Sequence, residues 1–225
     1  MSRARDMANL GAQAGSGLDA SDITTGTLGN TVQDNITRLG TVTTGTMNNT
    51  IGSSATFPAG HVLQVKHGFF NGIADGSGAT PALIDSSLSI SITPNHASNK
   101  IVILVSVVII PQTNSHCGVL LYKDSSEITG AKNSNPNSHS DTVHYFLSTG
   151  YHSASGTLSH QNLMIDTLAG SYEDTAGSTN ATTYGVYARG REASHAYYIN
   201  RTLTDGANDS SSRATSSITV MEIKV

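Results

Sequence analysis

Four histidines, His139, His144, His152 and His160, follow one another at spacings of five, eight and eight, which invites a metal reading. Imidazole pairs bind zinc when their spacing brings both to one face, as in H-E-x-x-H or a Cys/His finger, and these spacings do not. One histidine per chain sharing an ion on a threefold axis is the remaining form of that idea. No residue selects it, and no metal is assigned. The run Asp205-Gly206-Ala207-Asn208-Asp209 offers oxygen ligands to calcium but lacks the D-x-D/N-x-D/N-G order and the closing Glu, so a turn is expected there. There is no G-x-S-x-G elbow, and the scattered acids define no hydrolytic carboxylate pair. No catalytic or cofactor residues are assigned, and the chain is read as not an enzyme. The single cysteine, Cys117, permits no intrachain disulfide and is expected to be a small buried hydrophobe.

Recognition is the chemistry left. Sugars and proteins are held by rings that stack and by polar groups on a preformed surface. The stock is Tyr172, Tyr184, Tyr187, Tyr197 and Tyr198 with Arg189, Arg191 and His195. Tyrosines on strands belong mostly to cores and interfaces. Tyr172, expected in a loop from Gly170 to Asn180, and Arg191 and His195, expected in a turn, are therefore the candidate surface-binding residues.

Composition narrows the partners. Twelve basic against sixteen acidic residues give a net charge of −4, and only 12% of residues are charged, which argues against a nucleic-acid partner. The longest apolar run, Ile101 to Ile110, is too short to cross a bilayer as a helix, so no membrane insertion is expected. No apolar stretch follows the basic N-terminus, so no secretory leader is expected either.

The elements that must position these residues are strands. Candidates are His61 to Phe70, Ser87 to Thr93, Lys100 to Ile110, Gly118 to Lys123, Thr142 to Ser148, Gln161 to Asp166, Thr183 to Gly190, Ala196 to Arg201 and Ser217 to Lys224, separated by polar turns. Long linkers are expected at Asn71 to Leu83, Lys132 to Asp141, Gly170 to Asn180 and Asp205 to Arg213. Ile101 to Ile110 is apolar on both faces, which suits a central strand or one whose second face a neighbouring subunit covers. Strands without intervening helices predict a mainly β fold, an antiparallel β-sandwich of jelly-roll type, over residues 58–225.

Residues 1–57 read differently. Ser2 caps a short helix to Leu10, closed by Gly11, too short to persist alone. From residue 18 the sequence repeats: Ile23-Thr24-Thr25-Gly26-Thr27-Leu28 returns as Val42-Thr43-Thr44-Gly45-Thr46-Met47, nineteen residues on. Val32 returns as Ile51, while Ile36 and Leu39 lie between the copies at helical spacing from Val32. Two such thin units cannot bury Ile23, Leu28, Val32, Ile36, Leu39, Val42, Met47 and Ile51 within one chain, and stacking folds need about three repeats. An oligomeric stem over residues 18–57 is the expectation. The composition also suits a linker, but a linker has no reason to repeat its apolar positions.

The segment Ser2 to Leu10, the Ile/Val-Thr-Thr-Gly-Thr repeat, the run Thr56-Phe57-Pro58-Ala59-Gly60-His61-Val62-Leu63-Gln64-Val65 and the ending Ile218-Thr219-Val220-Met221-Glu222-Ile223 together resemble tail-fibre and virion structural proteins of bacteriophages, especially marine ones infecting cyanobacteria. The likeness covers the first 65 residues and the last eight; the middle shares only its β-rich character. It implies a homotrimer in which residues 1–17, through Arg3, Arg5, Met7 and Leu10, dock onto another virion protein. The head then faces a glycan or protein of the host cell surface. A head-mounted fibre or capsid decoration protein, and a glycan-cleaving tailspike, are the alternatives that the same resemblance leaves open.

Overall fold

The computed structural model describes residues 57–132, 144–152, 165–205 and 211–225, all within the unit Ala55–Val225. The expected N-terminal helix with Arg3, Arg5, Met7 and Leu10, and the repeat with its core positions Ile23, Leu28, Val32, Ile36, Leu39, Val42, Met47 and Ile51, lie outside the described residues.

The described strands are, in chain order, β1 (Val62–Phe70), β2 (Ala74–Ser77), β3 (Ala82–Leu83), β4 (Ser89–Ile92), β5 (Lys100–Pro111) and β6 (Cys117–Lys123). They continue with β7 (Ser126–Glu127), β8 (Leu147–Ser148), β9 (Asp166–Thr175), β10 (Thr182–Gly190), β11 (Ala196–Ile199) and β12 (Ser216–Ile223). Their pairings are all antiparallel. In the first sheet β5 is central: β9 runs along one side of it, while β12 and then β11 occupy the other and carry β1 and β2 in turn. In the second, β6 and β10 form the centre, flanked by β3 and β4 beyond β10 and by β7 and β8 beyond β6.

The two sheets face each other across one core. Alternate residues of β5, Ile101, Ile103, Val105, Val107 and Ile109, together with Ile218 and Val220 of β12, meet Val119, Leu121, Tyr184, Val186 and Ala188 of the second sheet, all buried. Burying each such side chain contributes about 1.5–3 kcal/mol relative to leaving it exposed. Cys117, fully buried, belongs to this cluster as its sequence context implied. Burial pushes its thiol up to about 12. At Gly68 of β1 the turn that precedes β4 comes close enough that a Cβ there would meet the Ser87 carbonyl oxygen at 2.1 Å.

Three polar side chains at the sandwich interior and its ends are well paired. The fully buried carboxylate of Glu222 accepts from Asn99 Nδ2 at 2.6 Å, Gln64 Nε2 at 2.7 Å and the Asn95 backbone N–H at 2.7 Å. Asn200, at φ 60, donates through Nδ2 to the carbonyls of Phe70 (3.0 Å) and Gly72 (2.8 Å) and accepts from Ser216 Oγ at 2.7 Å, which ties the β11–β12 connection to the end of β1. Arg201 forms a two-pronged pair with Asp75, both contacts 2.8 Å, with its guanidinium 4.2 Å from the Tyr198 ring centroid.

The mainly β, antiparallel sandwich stands as expected, but several elements differ. The strand expected from Ser87 begins as a 3-10 turn, Ser86–Leu88, because Asp85 Oδ1 accepts from the Ser87 N–H at 2.8 Å and winds the backbone before β4. The linker expected over Asn71 to Leu83 contains β2 and β3. Of the strand expected over Thr142 to Ser148, the described part pairs only at Leu147–Ser148. The strand expected over Gln161 to Asp166 starts only at Asp166 in the described residues and runs to Thr175.

Candidate functional site

Antiparallel register fixes two ends of the sandwich. At one, Val62, Ile223, Lys100 and Thr175 are level, and here Phe57 leads into β1. At the other lie the β5–β6 loop and the turn between β10 and β11, brought together because Cys117 pairs with Gly190. Arg191 and His195 sit in that turn, as expected. The His195 N–H donates to the Glu192 carbonyl at 3.1 Å, and the Arg191 N–H donates to the carbonyl of His116 in the neighbouring loop at 3.3 Å.

Four side chains cluster there. Glu192, exposed, lies 3.7 Å from Arg191 Nε and 3.8 Å from His195 Nε2, pairs long and wet enough to be worth little, so an external acceptor can replace that carboxylate at small cost. Burial first, then the charges of Arg191 and His195, hold the His116 imidazole below its ordinary range, against the pull of Glu192. The ring of Tyr151, 61% exposed, lies 6.5 Å from that of His116, and Tyr145 meets His116 edge-on at the same distance. Tyr145 is buried beneath, with the Arg189 guanidinium 5.3 Å from its centroid, and burial pushes its phenol up to about 12. The Ser115–His152 bridge, with the His152 N–H donating to the Ser115 carbonyl at 2.8 Å, fixes the segment that presents Tyr151.

A fixed cation, imidazoles and an exposed phenol ring at one corner suit a ligand with hydroxyl or anionic groups and an apolar face. The described residues contain no group of three or more His, Cys, Asp or Glu side chains placed to hold a metal. His139 and His160 lie outside the described residues, as do residues 206–209 of the acidic loop; Asp205 forms an ion pair with Arg213.

Tyr172 is not where the sequence put it. It lies on β9, opposite Ile103, half-buried and packed against the core, because β9 follows β5 through ten paired residues and converts half of the expected loop into strand. It therefore faces the sandwich interior, nearer the end where the chain enters, and does not join Arg191 and His195. His116 and Tyr151, which do, gave no signal by spacing.

The outer face of the second sheet holds a recess of about 330 Å³ lined by Tyr122, Tyr187, Asp124, Ser125 and Thr183. The two tyrosine rings stack at 3.9 Å, Tyr187 lying over Gly185, where a Cβ would meet its ring at 3.0 Å. Asp124 (φ 47) and Ser125 (φ 66) form the β6–β7 turn, and Asp124 Oδ1 accepts from the Thr183 N–H at 2.8 Å. This recess is toward the end at which the chain enters. No protein-family model matches the chain, and no curated protein matches it either.

Proposed function

We propose that this chain is a structural subunit of a bacteriophage virion, a homotrimeric tail fibre or spike whose C-terminal sandwich, jelly-roll-like in its strand order, meets the host surface. Residues 1–17 attach it to another virion protein, and residues 18–57 form its stem. The observation that carries the host-contact part is the position of the Arg191–His195–His116–Tyr151 corner, at the end of the sandwich opposite the one where the chain enters. In a fibre held by its N-terminus that end is the outermost surface, and it presents groups suited to a glycan or an acidic protein patch. Arg191 and His195 are the contact residues, joined by His116 and Tyr151; Tyr172 is withdrawn from that role by its inward position.

The test is competition. Purified chain is expected to bind susceptible cells and to slow adsorption of the particle that carries it; unaltered adsorption at saturating protein would overturn the reading. Immunogold labelling of intact virions is expected on the tail, and label confined to the capsid would make it a head-mounted fibre. New reducing ends on incubation with host polysaccharide would make it a glycan-cleaving spike.

A further inference from the structure

A sheet face open to water alternates apolar-in with polar-out, and part of the outer face of the first sheet does not. Register places Val65, Met221 and Val102 in one row across β1, β12 and β5, facing away from the core. On the same face stand Val62, Phe69 and Leu104, so that Val62, Val65, Phe69 and Leu104 are 49%, 53%, 51% and 42% exposed. Its one ion pair among the described residues, Lys100 with Glu173 at 2.7 Å, is satisfied within the face. Removing water from this surface therefore strands no charge.

We infer that this face is the contact surface for a second copy of this chain. Two observations choose that occupant. The face is electrically self-neutral, so it asks for no partner of opposite charge, and a copy of itself satisfies it. The chain also enters the sandwich through β1, the edge strand that carries Val62, Val65 and Phe69, directly after a segment whose repeated apolar positions, Leu28 and Met47 among them, are expected from the sequence to need a second copy, two repeats being fewer than a self-sufficient stack requires. For copies joined through that segment, β1 is the first described strand after the point of joining. Aromatic and aliphatic side chains amid small residues, with charge kept to the rim, are what an assembled interface buries. The inference rests on the chain being oligomeric, as in the fibre reading, and not on what the far corner binds.

The experiment uses the full chain. Leu104→Cys, and Ser171→Cys as a second position on the same face, report burial by maleimide labelling against an exposed Ser194→Cys control, Cys117 being too buried to contribute. Sedimentation velocity gives the assembly state of the wild type and of Val65→Lys/Leu104→Lys, with Val65→Ser/Leu104→Ser standing in if the lysine pair loses its β circular dichroism. Expected are an assembled wild type, labelling slowed at least tenfold relative to the control, and a dissociation midpoint at least tenfold higher in the substituted pair. A monomeric wild type, or labelling as fast as the control, overturns the inference. Slow labelling with undiminished assembly of the substituted pair also overturns it, and identifies the chain's own first 56 residues as the cover. An assembled, protected chain that binds no host cell keeps this interface and defeats only the host-contact reading.

Discussion

The hydroxyl of Tyr184 on β10 donates to Asp174 Oδ2 on β9 at 2.7 Å, joining the two sheets through a polar contact at the edge of the core. Lys123 reaches the same oxygen at 2.8 Å, so one carboxylate serves a phenol and an ammonium together. Burial first, then the bond to Asp174 and its charge, raise the Tyr184 phenol, which stays protonated beyond the usual tyrosine range. Tyr184→Phe removes one donor and is expected to cost about 1 kcal/mol. Asp174→Ala takes the acceptor from the Tyr184 hydroxyl and leaves Lys123 with only the Thr175 and Ala176 carbonyls, and is expected to cost about 2–3 kcal/mol. Urea unfolding of the two variants and their combination measures the coupling, and strictly additive losses would show that the contact carries nothing.

Glu222 predicts an acid limit. Burial opposes its ionisation, but hydrogen bonds from Asn99 and Gln64 and from the backbone at Asn95 and His96 outweigh that and hold the carboxyl below its ordinary value. The unfolded chain therefore takes up this proton first as pH falls. Stability from this group is complete above the ordinary glutamate range, about 4.3, and is lost as pH drops from there through the folded value. Thermal unfolding from pH 7 to 3 is expected to fall more steeply for the wild type than for Glu222→Gln. The variant should start lower at pH 7, because its amide N–H groups face other donors. Parallel curves would remove Glu222 from the acid response.

The central strand and the last strand were legible because their side chains alone determine them: Ile101 to Ile110 has no polar face to keep wet, and Ile218 to Ile223 alternates to the end. β9 was not. Its residues, Asp-Thr-Leu-Ala-Gly-Ser-Tyr-Glu-Asp-Thr, have little strand propensity of their own, and only the edge of β5 holds them extended. Placing Tyr172 in a loop followed from that. β2, β3 and β7 are too short to leave a period. At the corner, Arg191 and His195 were visible as polar residues in a turn, whereas His116 and Tyr151 join them only because Cys117 pairs with Gly190 and His152 bridges to Ser115.

Two glycines separate packing from backbone strain. At Gly68 an added Cβ would lie 2.1 Å from the Ser87 carbonyl and 2.8 Å from Ile90 Cδ1, and backbone cannot yield as a side chain does. Gly68→Ala is expected to destabilise by about 3 kcal/mol or more. Gly60 has φ +86 with nothing within 4 Å, so Gly60→Ala meets only the left-handed penalty of about 1–2 kcal/mol. Chemical denaturation of both should preserve that order; equal losses would mean that the Ser86–Leu88 turn yields easily at Gly68.

The corner and Tyr172 make opposite predictions. Arg191→Ala/His195→Ala removes side chains whose contacts with the exposed Glu192 carboxylate are long, so the stability lost is expected to be only about 1 kcal/mol, most of it from the packing of the His195 side chain, which is 15% exposed. Binding to susceptible cells should fall about tenfold or more, since each charge-assisted bond lost contributes about 1.5–3 kcal/mol. Tyr172→Ala takes a packed ring from the sandwich interior and is expected to cost about 2–4 kcal/mol of stability while leaving binding by the folded fraction unchanged. Flow cytometry with labelled protein, read beside thermal unfolding of the same samples, separates the two. Retained binding in the double variant would remove the corner from host contact, whereas a binding defect in folded Tyr172→Ala would move that contact toward β9.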